Sequence, residues 1–130
     1  VPLTESTHHA VGEQALALMK SSAIIINTAR GPVIDQSALF QTLQKKKIGG
    51  AGLDVFEEEP VSGDNPLLGL DNIIMTPHSA ALTKECVVRM AVAAVNCTLA
   101  VFSGRVPPNV ANPQVLATDR WRHLVPGTDI

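Results

Sequence analysis

The chain has 130 residues, 45% of them hydrophobic and 17% charged, which suits one globular domain or a part of one. A net charge of −2 and an aromatic content of 3% disfavour nucleic acid as a partner, because basic surface and stacking side chains are both scarce. The only compact basic run, residues 45–47, falls at the end of a predicted helix, where the macrodipole favours cations. A phosphate-binding patch is the less favoured alternative for this run.

The two cysteines, Cys86 and Cys97, lie in one predicted helix and are separated by about 16 Å along its axis. A disulfide requires Cα atoms within about 7 Å, so the two cannot pair with each other, and we expect a reducing, cytoplasmic location. The chain opens without methionine or a leader, in what looks like the end of a strand, so we expect it to be part of a longer protein. No apolar run approaches the ~20 residues that span a bilayer, so no membrane partner is expected.

The first predicted elements alternate between helix and strand. Apolar residues at helical spacing over 11–20 predict a helix, and the apolar run at 23–26 predicts a short strand covered on both faces. Asp35 is the predicted N-cap of a second helix over 36–47, which a pair of glycines ends.

The same alternation continues towards the C-terminus. A second strand is predicted over 51–55, followed by a polar loop over 57–69 and a third strand over 72–75. A long helix over 83–102 precedes a proline-containing extended tail from residue 105. Strands that alternate with helices of this length predict an α/β fold with a parallel sheet and right-handed crossovers.

Functional side chains follow each predicted strand. Arg30 comes after the first strand, three glutamates at 57–59 follow the second, and His78 follows the third. Because the carboxyl ends of parallel strands share one edge of a sheet, where ligands bind, these residues predict an active site there.

Each residue type has a chemical use at such an edge. An arginine fork can hold a carboxylate by two parallel hydrogen bonds and polarise the neighbouring carbonyl of a 2-keto acid. Histidine can exchange a proton with an alcohol oxygen, and a carboxylate beside it stabilises the imidazolium. Plain structural explanations also exist: a surface cation for Arg30, a solvated loop for the glutamates and a proline turn for His78. The coincidence of all three favours the site.

At these positions the sequence resembles the D-isomer-specific 2-hydroxyacid dehydrogenases. Three ordered motifs carry the resemblance: Asn27-Thr28-Ala29-Arg30-Gly31 with Ile34-Asp35 and Ala38-Leu39, then Gly50 to Pro60, then Thr76-Pro77-His78. Similarity extends from the start of the chain to about residue 113. It implies a partial Rossmann-type doubly wound parallel sheet, the C-terminal half of a nucleotide-binding domain that takes in residues 1–104, with 105–130 as the tail.

The resemblance also implies roles. Arg30 would bind the substrate carboxylate and carbonyl, His78 would be the acid/base, and Glu59 would pair with it, whereas the two preceding glutamates have no implied role. Asp54 would lie near the nicotinamide carboxamide. The residues implied to line the cofactor, NAD or NADP, are Pro2, Thr28, Ala29, Arg30, Asp54, His78, Ser79 and Ala80.

The implied activity is hydride transfer between NAD(P)H and a small 2-keto or D-2-hydroxy acid, closest to glyoxylate, hydroxypyruvate and 2-ketogluconate reductases, in a homodimer. Formate dehydrogenases of this family carry glutamine in place of Glu59, so the glutamate favours an alcohol–carbonyl couple. The family's Gly-x-Gly-x-x-Gly loop and most of its substrate domain are not in this sequence. We therefore expect the chain alone neither to bind cofactor tightly nor to turn over substrate.

A different class of protein stays open. The C-terminal-binding-protein corepressors resemble the same fold and act as cofactor-sensing scaffolds, but they carry tryptophan three residues after the histidine, where this chain has Ala81. This difference favours the enzyme. His8 and His9 are interpreted as solvated surface, and no cysteine or histidine spacing predicts a metal site.

Overall fold

The computed structural model describes residues 1–124 and divides into two compact units, Val1–Ala80 and a second unit that begins at Ala81. The first unit contains a three-stranded sheet whose strands lie in chain order: β1 (Ile24–Asn27), β2 (Gly50–Leu53) and β3 (Ile73–Met75). Both pairings are parallel, with Ile24 opposite Gly50 and Ala51 opposite Ile73. The predicted parallel α/β sheet is thereby confirmed.

Within residues 1–124 there are three α-helices: α1 (Glu13–Ala17) and α2 (Gln36–Gln44) in the first unit, and α3 (Lys84–Phe102) in the second. Short 3-10 helices cover Gly31–Val33, Pro66–Gly69, Pro113–Ala117 and Arg122–Leu124. The last two of these lie in the predicted tail, of which residues 125–130 are outside the described part. The predicted domain limits stay a prediction.

Both helices of the first unit are shorter than the sequence predicts. Val11 is not helical because it forms a parallel bridge with Ile34, and its N–H donates to the carbonyl of Val33 at 3.1 Å. The Asp35 N-cap is confirmed, since Oδ1 accepts the N–H of Ala38 at 2.9 Å. The helix that Asp35 caps ends at Gln44 instead of residue 47, so the basic run lies just beyond the last turn.

The core of this unit lies on one face of the sheet. Its buried side chains come from both helices, from β2 and from the loops: Leu16, Ile34, Leu39, Leu43, Ile48, Ala51, Leu53, Phe56 and Leu67. The other face presents Ile24, Ile26 and Ile74, which are 67%, 72% and 74% exposed. The prediction that β1 is covered on both faces is therefore wrong for this chain, because α1 and α2 pack on the same side of the sheet.

Helix α3 is the main element of the second unit. Thr83 caps it, accepting the N–H of Cys86 at 3.2 Å, and both cysteines are free. Its exposed apolar side chains include Val87, Val88, Met90, Val92, Val95, Leu99 and Phe102. With a mean hydropathy of 1.6, α3 is long and apolar enough to cross a membrane by length and composition.

The expectation that no segment reaches this length is therefore wrong for α3. A single helix of this kind is weak evidence for a membrane span, because the core helix of a soluble protein passes the same test. The absence of a membrane partner stays a prediction.

Candidate active site

Arg30 follows β1 through a turn that Asn27 organises. The Asn27 side chain is buried, its Oδ1 accepts the N–H of Ala29 at 3.0 Å, and its Nδ2 donates to the carbonyl of Arg30 at 2.9 Å. An asparagine is suited to this position because its amide replaces the backbone partners lost at the end of a strand. The Arg30 side chain is exposed, and Nη1 donates to the carbonyl of Ala29 at 2.7 Å.

Gly31 brings this turn into contact with the loop that follows β2. A Cβ atom at Gly31 would lie 1.8 Å from the carbonyl oxygen of Phe56 and 2.5 Å from the nitrogen of Glu57, so only glycine fits between the two backbones. The contact fixes the position of Arg30 relative to the loop that carries the glutamates.

Glu59 and His78 form the centre of the candidate site. The Glu59 Oε2 atom lies 2.7 Å from His78 Nδ1, and its Oε1 atom accepts the N–H of Phe56 at 2.9 Å. The hydrogen bond to His78 is the largest cause of a lowered Glu59 pKa; the bond from Phe56 adds to it, and burial opposes it. The positive charge of Arg30 lowers this pKa further, so the guanidinium acts on the same carboxylate.

Asp54 holds the turn that presents His78. Its Oδ1 accepts the Thr76 hydroxyl and the N–H of Ser79 at 2.8 Å, while Oδ2 accepts the N–H of Ala80 at 2.9 Å. These bonds, that from Thr76 first, lower the Asp54 pKa against the effect of burial. His78 itself has φ of +52°, in the left-handed region that non-glycine residues rarely adopt, so the turn depends on this buried carboxylate.

Three clefts surround these residues. One of about 430 Å³ is lined by Phe56, Glu59, Pro60, Val61, Pro77 and His78. A second, open cleft of about 610 Å³ is lined by Val1, Pro2, Leu3, Thr28, Ala29 and Arg30. A third of about 160 Å³ is lined by Ile26, Thr28, Gly52, Leu53, Asp54, Ile74, Thr76 and Ala80.

The structure therefore brings Glu59 and His78 into direct contact and sets Arg30 within electrostatic reach of the Glu59 carboxylate. Of the residues predicted to line a cofactor, Pro2, Thr28 and Ala29 share a cleft with Arg30, while Asp54 and Ala80 share another with Thr28. Ser79 contributes its backbone N–H to Asp54. Within residues 1–124, no group of three His, Cys, Asp or Glu side chains could hold a metal ion.

Two structural roles went unrecognised in the sequence. Asp54 was predicted only as a cofactor residue, although it also anchors the His78 turn. His9 is exposed, as predicted, but its Nε2 lies 2.7 Å from Oε1 of Glu57, a residue to which no role was assigned. A separation of 48 positions gives no local signal by which this pair could have been found.

A comparison with known proteins identifies the family of this chain. Residues 1–80 match the family described as D-isomer specific 2-hydroxyacid dehydrogenase, NAD binding domain. The chain belongs to this family, which confirms the resemblance seen in the three motifs.

Two individual relatives are similar to this chain over most of its length. The chain is 47% identical over 116 residues to a glyoxylate reductase of Korarchaeum cryptofilum, covering 89% of this chain and 35% of the relative. It is 50% identical over 115 residues to glyoxylate/hydroxypyruvate reductase B of Escherichia fergusonii, covering 88% and 36%.

A solved structure of a relative is similar to this chain in fold. The NADPH-dependent glyoxylate/hydroxypyruvate reductase of Sinorhizobium meliloti, in complex with NADP and malonate, superposes with a TM-score of 0.76 at 38% identity, over 85% of this chain and 35% of that one. The chain thus spans about a third of the length of the relatives it matches.

Proposed function

We propose that the protein is an NAD(P)-dependent D-2-hydroxyacid dehydrogenase that reduces a small 2-keto acid such as glyoxylate or hydroxypyruvate. The observation that carries this proposal is the 2.7 Å contact between His78 Nδ1 and Glu59 Oε2 beside an open cleft. The relatives named for glyoxylate and hydroxypyruvate support the choice of substrate class.

His78 supplies the proton in this proposal. Because Nδ1 faces Glu59, the ring presents Nε2 on its other side, towards a substrate oxygen in the cleft. The Glu59 carboxylate, whose pKa is lowered, is ionised at neutral pH and stabilises the imidazolium that donates the proton. The side chains of His78 and Glu59 are 50% and 35% exposed, so both are accessible to a ligand.

Arg30 orients the substrate. Its planar guanidinium can hold the carboxylate of a 2-keto acid by two hydrogen bonds and draw electron density from the adjacent carbonyl. Its bond to the Ala29 carbonyl uses one of five N–H groups, which leaves the fork able to bind an anion.

The lining of the neighbouring clefts suits a nicotinamide. Ile26, Gly52 and Ile74 lie side by side across the three strands on the exposed face, which makes a flat apolar surface. Thr28 and Asp54 stand at its end with the oxygen atoms that a carboxamide can bond. When NAD(P)H is bound, it supplies the hydride that reduces the keto carbon.

Further expectations belong to this proposal. We expect Pro2, Thr28, Ala29, Ser79 and Ala80 to line the cofactor site, as predicted from the motifs. We also expect a homodimer in the cytoplasm, and a 130-residue chain that, by itself, binds NAD(P) weakly and is inactive.

The direct test is steady-state oxidation of NADH and NADPH by the full-length protein with glyoxylate, hydroxypyruvate or pyruvate. We expect turnover with at least one 2-keto acid. A cofactor-sensing scaffold would instead bind NAD(H) with little turnover and would bind a partner protein in a cofactor-dependent way. The alanine at position 81, where the corepressors carry tryptophan, favours the enzyme.

A further inference from the structure

A second histidine–carboxylate pair lies outside the clefts of the candidate site. His9 Nε2 is 2.7 Å from Glu57 Oε1, and the same oxygen accepts the backbone N–H of Gln36 at 3.1 Å. Gln36 is the first residue of α2, so the carboxylate also satisfies one of the free N–H groups at this helix end. Three segments distant in sequence therefore meet at one carboxylate.

His9 is itself held firmly in place. Its backbone N–H donates to the carbonyl of Pro32 at 2.8 Å, and its φ of +50° lies in the left-handed region. Asp35 Oδ2 lies 4.0 Å from the other ring nitrogen, so the imidazole stands between two carboxylates. A non-glycine residue keeps such a backbone conformation only where its surroundings fix it.

The pair bears on Glu59 through Phe56, the residue before Glu57. Glu57 follows Phe56 directly, and the N–H of Phe56 donates to Glu59 Oε1 at 2.9 Å. The carbonyl of Phe56 packs against Gly31, where no Cβ would fit. A movement of Glu57 would therefore move the backbone N–H that anchors Glu59.

We propose that His9 and Glu57 are positioning residues that fix the loop of Glu59 against α2, and so hold Glu59 in line with His78. This inference rests on the proposed function for its kinetic consequence. Neither residue lines the cleft that contains His78, so neither is a catalytic residue.

The experiment uses the full-length protein with His9→Leu, which removes the donor to Glu57, and His9→Gln, whose amide can still donate. The control is His123→Leu, which removes an exposed imidazole outside the pair; His8 is not used because its ring stacks on that of His9, with centroids 4.0 Å apart. In the loop, Glu57→Ala is compared with Glu58→Ala, which removes the same charge one residue further on.

We expect His9→Leu and Glu57→Ala to lower kcat for 2-keto acid reduction about tenfold, since small misplacements of catalytic groups have large effects on rate, and to leave the KM for cofactor unchanged. His9→Gln should recover most of the rate. The variant that combines His9→Leu with Glu57→Ala should have a kcat no lower than that of Glu57→Ala alone, because the two residues form one contact.

A second readout does not depend on turnover. Carboxyl-carbon NMR should show the Glu59 pKa moving up towards its ordinary value in His9→Leu and Glu57→Ala, and staying unchanged in His123→Leu and Glu58→Ala. If the wild-type protein shows no turnover, the proposed function is wrong. The Glu59 pKa then decides whether His9 and Glu57 position Glu59. Equal effects of His9→Leu and His123→Leu on kcat and on the Glu59 pKa, or equal losses in His9→Leu and His9→Gln, would overturn the inference.

Discussion

Two histidine–carboxylate pairs share one loop and one contact distance but differ in their surroundings. Glu59 and His78 are 2.7 Å apart beside an open cleft, with the charge of Arg30 acting on the carboxylate. Glu57 and His9 are also 2.7 Å apart, but their carboxylate caps a helix. A histidine–carboxylate pair therefore becomes a candidate for catalysis when a cleft and a cation lie beside it.

Replacement of His78 is expected to have the largest effect, and it tests whether His78 supplies the proton. His78→Ala should lower kcat for glyoxylate reduction about a thousandfold, because it removes the proton donor, and should change cofactor affinity much less. The measurement is steady-state kinetics together with NADH binding on the full-length protein. The exposed His123 serves as the control in the variant His123→Ala, and a normal kcat in His78→Ala would show that another group supplies the proton.

The next effect concerns the backbone contact between Gly31 and Phe56, which holds the loop that carries both glutamates. Gly31→Ala places a methyl group 1.8 Å from the carbonyl oxygen of Phe56, and we expect a loss of about 3 kcal/mol in the free energy of unfolding through overpacking. Chemical denaturation compares it with Gly63→Ala, because nothing lies within 4 Å of a Cβ at Gly63. Equal stability of the two variants would mean that the two backbones can separate freely.

A smaller effect is expected when Arg30, the cation of the candidate site, is replaced by another cation. Arg30→Lys keeps the charge and loses the planar fork, so kcat/KM for a 2-keto acid should fall about 100-fold, with most of the loss specific to substrates that carry a carboxylate. Arg89→Lys, on the exposed surface of α3, is the control. An unchanged kcat/KM in Arg30→Lys would argue against a bidentate contact.

The smallest expected effect is a pH dependence of the free energy of unfolding, which comes from the two carboxyl groups beside His78. Asp54 and Glu59 have lowered pKa values, against ordinary values of 3.8 and 4.5. A carboxyl group of this kind stabilises the fold above its ordinary pKa, and the contribution is lost as the pH falls through the lowered value.

The corresponding measurement is the free energy of unfolding between pH 7 and pH 3, compared with Asp54→Asn and with the exposed Asp64→Asn. Asp54→Asn should lower stability at pH 7 and flatten its decline below about pH 4, because the stabilising carboxylate is gone. Asp64→Asn should follow the wild type. If Asp54→Asn keeps the wild-type pH profile, the carboxylate does not hold the His78 turn.

Much of this arrangement could be predicted from sequence. The alternation of apolar runs and helical periods gave the order of elements and the parallel sheet, and the N-cap at Asp35 is where the sequence placed it. The approach of Glu59 to His78 followed from their positions after neighbouring strands and from the family motifs.

The rest depends on contacts that local patterns do not encode. The bonds of Asp54 to the turn beyond β3, and the pairing of His9 with Glu57, join residues far apart in sequence. The exposure of Ile24 and Ile26 depends on which elements cover the sheet, and an apolar strand has the same composition whether one face or both are buried.

The most direct measurement is a double-mutant cycle on kcat for 2-keto acid reduction by the full-length protein, with Glu59→Gln, His78→Ala and both changes together. Since the two groups act as one proton-donating unit, we expect the double variant to be no slower than His78→Ala alone. Independent losses that multiply in the double variant would contradict it.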